Sequence, residues 1–407
     1  MKFRSFLTLG ILLGSLSSTF GQAITPESKT KVLQTMQASI QRQAFVPGVD
    51  FAQWPTFLEK RRSELDKSED VPAFVNTVNE ALRDFGISHI RLFSPQSAKA
   101  RITGVTQNFG LRTEKSESGL KITALAPKGP AAQLGLEAGD EIIAVEGIEK
   151  PTTYPIPSDR ETTLLTIKRK STGLIKNYMV LKKAYSTDQP NTLTWTDKTT
   201  AVLRIPSFAR TYNVKQIAGF IEEVNAKKAK SLVIDLRGNG GGLVSNCNHL
   251  LSLLTPVGTP IGTQVGRQMA ERYIQTVGGD GKDMVAIAKW AGPTSKTFKL
   301  SQAPYLGKLA ILLDKGSASA SEISSAVLKE QRGAVLVGKP SAGAVLVSFF
   351  VPLRDTEGFE VQVPLSDYVS PGGMRLEKNP LKPDVTVEAV ATETSDPVLE
   401  SALKAIK

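Results

Sequence analysis

Apolar positions follow three periodicities along the chain, and the changes between them divide it. Between residues 24 and 95 they recur at helical spacing: Val32, Met36 and Ile40 make one stripe, and Phe74, Val78 and Leu82 another. Pro47-Gly48 and Trp54-Pro55 break the run, so residues 23–100 are predicted to form a small helical region. Gly86 ends its last helix, and the alternation through Ile87-Ser88-His89-Ile90-Arg91-Leu92 predicts a strand.

From residue 101 to 184 the pattern shifts to short strands separated by turn residues, which marks a second domain. From residue 192 to 395 it shifts again. Apolar runs at 201–205, 231–235, 309–313 and 334–337 alternate with helix-patterned stretches at 213–227, 244–254 and 321–331. That alternation is the mark of βα crossovers and predicts a layered α/β core. Residues 256–305 are richer in glycine and polar residues and are predicted as a lid or surface excursion, and residues 396–407 as a closing helix.

Composition adds three constraints. Met1-Lys2-Phe3-Arg4, an apolar run from Phe6 to Leu16 and small residues up to Ala23 have the order of a secretory signal. The segment is short for a bilayer span, so the mature chain is expected in the periplasm or secreted, with no stable membrane span and residues 1–22 removed. The single cysteine, Cys247, cannot close an intramolecular disulfide and is expected to be a small buried residue. The formal charge of +11 becomes about +9 once Lys2 and Arg4 leave, and the scattered basic residues predict no nucleic-acid partner.

Two stretches carry candidate chemistry. Gly316-Ser317-Ala318-Ser319-Ala320-Ser321-Glu322 lies where a buried strand gives way to a helix. A helix N-terminus offers unpaired N–H groups and the positive end of the dipole, which suits a nucleophile and an oxyanion. Small residues at such a corner also serve close packing, so the stretch alone does not decide. Asp235-Leu236-Arg237-Gly238-Asn239-Gly240-Gly241-Gly242 also follows a buried strand and opens a helix. Glycines there turn the backbone and aim N–H groups at a bound oxygen. The lysine and hydroxyl residue of a phosphate loop are absent, since Gly242-Leu243-Val244 stands in their place. No His, Cys, Asp and Glu cluster has metal-ligand spacing, so neither metal nor cofactor is expected.

Residues 129–147, which contain Gly129-Pro130-Ala131-Ala132 and Gly139-Asp140-Glu141-Ile142-Ile143, closely resemble a PDZ domain. The resemblance implies capture of a polypeptide C-terminus by strand addition, with Phe109, Gly110 and Leu111 as the carboxylate-binding loop. The order PDZ domain, DLRGNGGG, GSASASE, Val337-Gly338-Lys339-Pro340 and Lys382-Pro383-Asp384 resembles the S41 serine peptidases, the tail-specific or C-terminal processing peptidases. That resemblance implies a crotonase/ClpP-like layered α/β core with an N-terminal helical cap and an inserted PDZ domain. It also implies peptide hydrolysis through an acyl-enzyme, with Ser319 as nucleophile.

One departure changes the expected base. The position of the processing peptidases' dyad lysine is Ala344 here, and Ser348 stands where they carry a glutamine. Lys339 is five residues too early to substitute readily. A branch resembling the tricorn core protease works without that lysine, and the matching positions here are Ser88-His89 and Glu377. By that resemblance His89 is the general base, Glu377 and Ser88 orient it, and Gly241 N–H with Ala320 N–H forms the oxyanion hole. His249, the other histidine, serves as the control. The expected function is an exported endopeptidase acting on unfolded or C-terminally exposed polypeptides. The alternative is an inactive S41-like peptide- or ligand-binding protein.

Overall fold

A computed structural model describes residues 23–151, 161–389 and 395–407, so the secretory-signal reading of residues 1–22 lies outside the described residues. The chain divides into two compact units. One consists mainly of residues 108–183, and the other of residues 25–68, 73–107 and 184–407.

The larger unit is a mixed α/β structure built on two sheets. Its first sheet runs Thr192–Trp195, Thr200–Arg204, Ser231–Asp235, Lys308–Leu313, Val335–Gly338, Val385–Thr386 in spatial order. Every neighbouring pair is parallel except the first. Parallel strands are covered on both faces, which is why these segments read as continuous apolar runs. Leu232, Ile234, Leu309 and Ile311 pack with the helices Val214–Ala226, Val244–Leu254 and Ala320–Arg332 on one face. Val233, Ala310 and Leu312, the alternate residues, pack with Val398, Ala402 and Ile406 of the C-terminal segment on the other. Full burial of such a side chain contributes about 1.5–3 kcal/mol, so this double-sided core is the main source of the unit's stability.

The second sheet is antiparallel. Glu360–Val369 is its spine, with Val347–Pro352 along one side and Arg91–Phe93 and Pro260–Gly266 along the other. The N-terminal helix Pro26–Gln43 packs on this spine. The chain after it is tied down by Phe45 N–H donating to Pro364 O at 2.9 Å.

Two expectations change here. Residues 256–305 are not an excursion: Pro260–Gly266 is an internal strand of the second sheet, and the helices Arg267–Val277 and Met284–Ala291 follow it. Ile261, Val265, Met284 and Ile287 are buried, but intervening glycines and polar residues hide the periodicity. The predicted strand through Ile87–Leu92 also shortens to Arg91–Phe93, because Ser88 and His89 form a turn with His89 at φ +55°.

The smaller unit is a sheet in the order Leu111–Ser116, Gly119–Leu125, Glu141–Val145, Thr162–Lys168, Ile175–Leu181, with a short helix Pro130–Gln133. Phe109, Leu111, Ile122, Ile142 and Leu165 form its core. Gly110 and Gly129 meet backbone to backbone: a Cβ on Gly110 would lie 2.7 Å from Gly129 Cα, so only glycine fits. The unit begins near residue 108 instead of 101, since Pro95–Thr103 is a helix of the larger unit, closed by Gly104 in the left-handed region.

Candidate active site

The corner at residues 314–319 is stitched to the glycine loop at residues 236–241. Asp314 Oδ1 accepts from Gly238 N–H and Gly316 N–H, each at 2.8 Å. Ser317 Oγ donates to Leu236 O at 2.9 Å and Ser321 Oγ to Asn239 O at 2.8 Å. Both of these serines are fully buried. The alternating serines of GSASASE therefore have different tasks: the outer two fasten the corner, and Ser319 between them is only half-buried. Ser319 sits at φ +55°, a conformation that costs a non-glycine residue about 1–3 kcal/mol and persists only where its surroundings enforce it.

Glu322 enforces much of it. Its carboxylate accepts from Ser341 Oγ at 2.5 Å and Gly343 N–H at 2.8 Å on one oxygen. The other oxygen accepts from Ala344 N–H at 3.0 Å and Ser319 N–H at 3.2 Å. Burial pushes this carboxyl up, and the four donors oppose the shift. Ser319 N–H also donates to Ala344 O at 2.9 Å, which locks the corner to the 341–344 loop.

From that loop the network continues to the histidine. Val345 N–H donates to Glu377 Oε2 at 2.9 Å, and Ser88 Oγ donates to the same oxygen at 2.9 Å. Ser88 Oγ lies 2.8 Å from His89 Nδ1. A hydroxyl whose proton goes to a carboxylate must accept from its other neighbour, so Nδ1 carries the proton and Nε2 keeps its lone pair. Burial pulls the imidazole down to about 4, so it is neutral at ordinary pH. Glu377 is held on a fixed turn: Arg375, two residues earlier, grips buried Asp367 at 2.6 Å, and Lys378 N–H donates to Gly343 O at 2.8 Å.

The structure thus joins Ser88, His89 and Glu377 by direct hydrogen bonds and ties them to Ser319 through Ala344 and Val345. Other sequence-predicted residues fare differently. Lys339 pairs with exposed Glu388 at 3.2 Å. His249 is buried with Nδ1 2.8 Å from the Tyr212 hydroxyl, outside this network. Cys247 is buried beside Ser324, its thiol pushed up to about 12 by burial.

Gly241 needs a correction. A Cβ there would lie 2.7 Å from Ser319 Cβ, so the loop does pass against the Ser319 corner. Its N–H, however, donates to Asn239 Oδ1 at 2.9 Å and is not presented to a ligand. Asn239 also donates through Nδ2 to Ile205 O at 2.8 Å, which fixes the side chain there. Ala320 N–H, by contrast, has no acceptor among the described residues. In the smaller unit Gly110 N–H is likewise occupied, donating to Asn108 Oδ1 at 2.8 Å, while Phe109 and Leu111 turn their side chains into the core. Sequence reasoning missed the clamping roles of Glu322 and Asn239. The first had a signal in the S-x-x-E spacing from Ser319 to Glu322, the pattern of a capping box.

Among the described residues no cluster of three or more His, Cys, Asp or Glu could hold a metal, and no helix is long and apolar enough to cross a membrane.

A half-buried serine on a strained corner, linked through the backbone to a carboxylate–serine–histidine chain, is the candidate site. Residues 199–387 match Peptidase family S41, a family of serine peptidases. It is 25% identical over 308 residues to the carboxy-terminal processing protease CtpB of Bacillus subtilis (strain 168), covering 72% of this chain and 58% of CtpB. It is 26% identical over 326 residues to carboxyl-terminal-processing peptidase 1, chloroplastic, of Arabidopsis thaliana, covering 75% and 61%. The chain thus spans about three fifths of the length of these relatives. The fold matches the photosystem II D1 C-terminal processing protease with a TM-score of 0.54 at 19% identity, covering 94% of this chain and 98% of that one. It matches mature CPAF complexed with lactacystin with a TM-score of 0.56 at 14% identity, covering 88% and 94%.

Proposed function

We propose that this chain is a serine endopeptidase that hydrolyses unfolded or C-terminally exposed polypeptides, with Ser319 as nucleophile and His89 as general base. The observation that carries the reading is the Glu377–Ser88–His89 chain, whose proton order leaves Nε2 as the acceptor. Ala344 has no basic group and Lys339 pairs with exposed Glu388, so neither of these two positions supplies a lysine base.

In this reading His89 Nε2 takes the Ser319 proton as Oγ attacks the scissile carbonyl. Glu377, through Ser88, stabilises the imidazolium that forms. Ala320 N–H donates to the oxyanion. The imidazolium then returns its proton to the leaving amine, and water repeats the sequence on the acyl-enzyme. We read the layered core as the crotonase/ClpP type and the unit of residues 108–183 as a PDZ domain that receives substrate C-termini. The relatives' names, which specify carboxy-terminal processing, support that choice of substrate. The order of Met1–Ala23 supports an exported enzyme, in the periplasm or secreted.

One observation favours the alternative of an inert binding protein: the Gly241 amide is already satisfied by Asn239. A fluorophosphonate probe with denatured casein separates the two. Labelling of Ser319, abolished in Ser319→Ala and His89→Ala, with matching loss of hydrolysis, supports the peptidase. A folded chain inert to both reagents makes it a binding protein.

A further inference from the structure

The two sides of the second sheet end differently. On one side, the outward backbone of Arg91–Phe93 is closed by a side chain: Leu92 N–H donates to Asn79 Oδ1 at 2.8 Å, and Asn79 Nδ2 donates to Leu92 O at 2.9 Å. On the other side, Val347–Pro352 is an edge strand that, among the described residues, pairs only with the spine.

Its hydrogen-bonding phase follows from the register. Ser348 faces Pro364 and Pro352 faces Glu360. Neither proline has an N–H, and Pro364 O is taken by Phe45 from the opposite side, so these are non-hydrogen-bonded pairs. Phe349 and Val351 then bond to the spine. Ser348 and Phe350 therefore turn their N–H and C=O groups outward, where no described residue bonds to them. The strand starts two residues after Val345, whose N–H holds Glu377.

A cavity of about 470 Å³ opens at its far end, lined by Val351 and Pro352, by Thr35, Ser39 and Arg42 of the N-terminal helix, and by Arg354. No carboxylate lines it, and neither Arg42 nor Arg354 has an ion-pair partner among the described residues. The nearest acidic neighbour in sequence, Asp355, pairs with Lys31 at 3.7 Å. Two guanidinium groups beside hydroxyls and an apolar floor suit a carboxylate on an extended chain.

We propose that an extended substrate adds as a further strand to the outer edge of Val347–Pro352, with a carboxylate of that chain held by Arg42 and Arg354. This deepens the peptidase reading and rests on it. Six residues of strand span about 20 Å, so the cavity fixes how far from Ser319 the carboxylate lies. The carboxylate is either the chain terminus or an acidic side chain.

The test uses the full chain as Ser319→Ala, so that peptide is bound but not consumed. Labelled peptides ending in a free acid, ending in an amide, or ending in an amide with an internal Asp are titrated by anisotropy. Arg42→Glu/Arg354→Glu, and separately Arg42→Gln/Arg354→Gln in case the first pair misfolds, should weaken carboxylate-bearing peptides about tenfold or more and leave the plain amide unchanged. Whichever of the acid or the Asp peptide responds names the source. A benzophenone near the carboxylate should cross-link to residues 35–43 and 347–354. N-methylation at successive peptide positions should weaken binding at every second residue only. Equal affinity in the folded Gln pair, cross-links confined to residues 108–183, or a uniform N-methyl response overturns the proposal. Fluorophosphonate labelling of the unsubstituted chain reports on Ser319 separately, so failure of the anchor and failure of the peptidase reading give different results.

Discussion

Two glycine loops, one in each unit, were both expected to offer amides to an anion, and both are closed in the same way. Asn239 Oδ1 accepts from Gly241 N–H at 2.9 Å, and Asn108 Oδ1 accepts from Gly110 N–H at 2.8 Å. In each case an asparagine two residues before the glycine makes a local turn bond that consumes the donor. The difference lies in burial. Asn239 is fully buried and tied to Ile205 O, whereas Asn108 is exposed. A glycine's freedom of φ is therefore not the same as a free N–H, and the two loops differ in how readily that donor is released.

The largest effect that bears on this comparison concerns Ser319 and His89, which do not depend on Gly241. Ser319→Ala and His89→Ala should each lower kcat for a peptide substrate by roughly 10⁴-fold or more, measured with fluorogenic peptides. A surviving rate in His89→Ala would transfer the base elsewhere. The pH profile sharpens the same point. Burial lowers His89 to about 4 from an ordinary 6.5, so the neutral base persists to low pH and the acid limb of kcat/KM should lie near pH 4. A limb near 6.5 would mean that the imidazole is well solvated. The linked stability has a definite sign: with the folded value depressed, the unfolded chain binds the extra proton. Stability contributed by this residue is therefore lost as pH falls through 6.5 towards 4.

The asparagines come next. Asn239→Ala leaves Ile205 O without its donor in the interior and should cost about 1–3 kcal/mol in urea unfolding, whereas Asn108→Ala should cost about 1 kcal/mol or less. If the Gly110 amide serves a peptide carboxylate, Asn108→Ala should raise affinity for C-terminal peptides a few-fold by titration. Unchanged affinity would remove Gly110 from that role. The smallest effect is expected at Lys339, whose partner Glu388 is exposed. Lys339→Ala should leave activity unchanged and alter stability by less than about 1 kcal/mol, by thermal melting and peptide hydrolysis.

The parallel core was legible because its strands are buried on both faces, and runs such as Leu309-Ala310-Ile311-Leu312-Leu313 cannot be read as half-exposed. Pro260–Gly266 was not legible, because Gly262 and Gly266 lie among its apolar residues and mask the alternation. At the site, Ser319 was marked by its motif and His89 by its place beside Ser88. The sense of their hydrogen bonds was not, since proton order depends on Glu377, 289 residues away from Ser88 in the chain.

The sequence by itself determined which groups are available: one serine among small residues, a histidine beside a serine, and an alanine where a dyad lysine would stand. Local patterning and residue identity are sufficient for that, because chemistry and helix or strand periodicity are carried by neighbours in the chain. Only the tertiary structure decided which of these groups meet and which amides remain free. Glu377 reaches Ser88, Glu322 locks Ser319 to the 341–344 loop, Asn239 closes Gly241, and Ala320 alone keeps an open N–H of the two expected donors. The Glu377–Ser88 bond and the ties of Glu322 to the 341–344 loop join segments distant in the chain, and even the local Asn239–Gly241 bond is fixed by the distant Ile205; such bonds form when burial removes water as the competing partner.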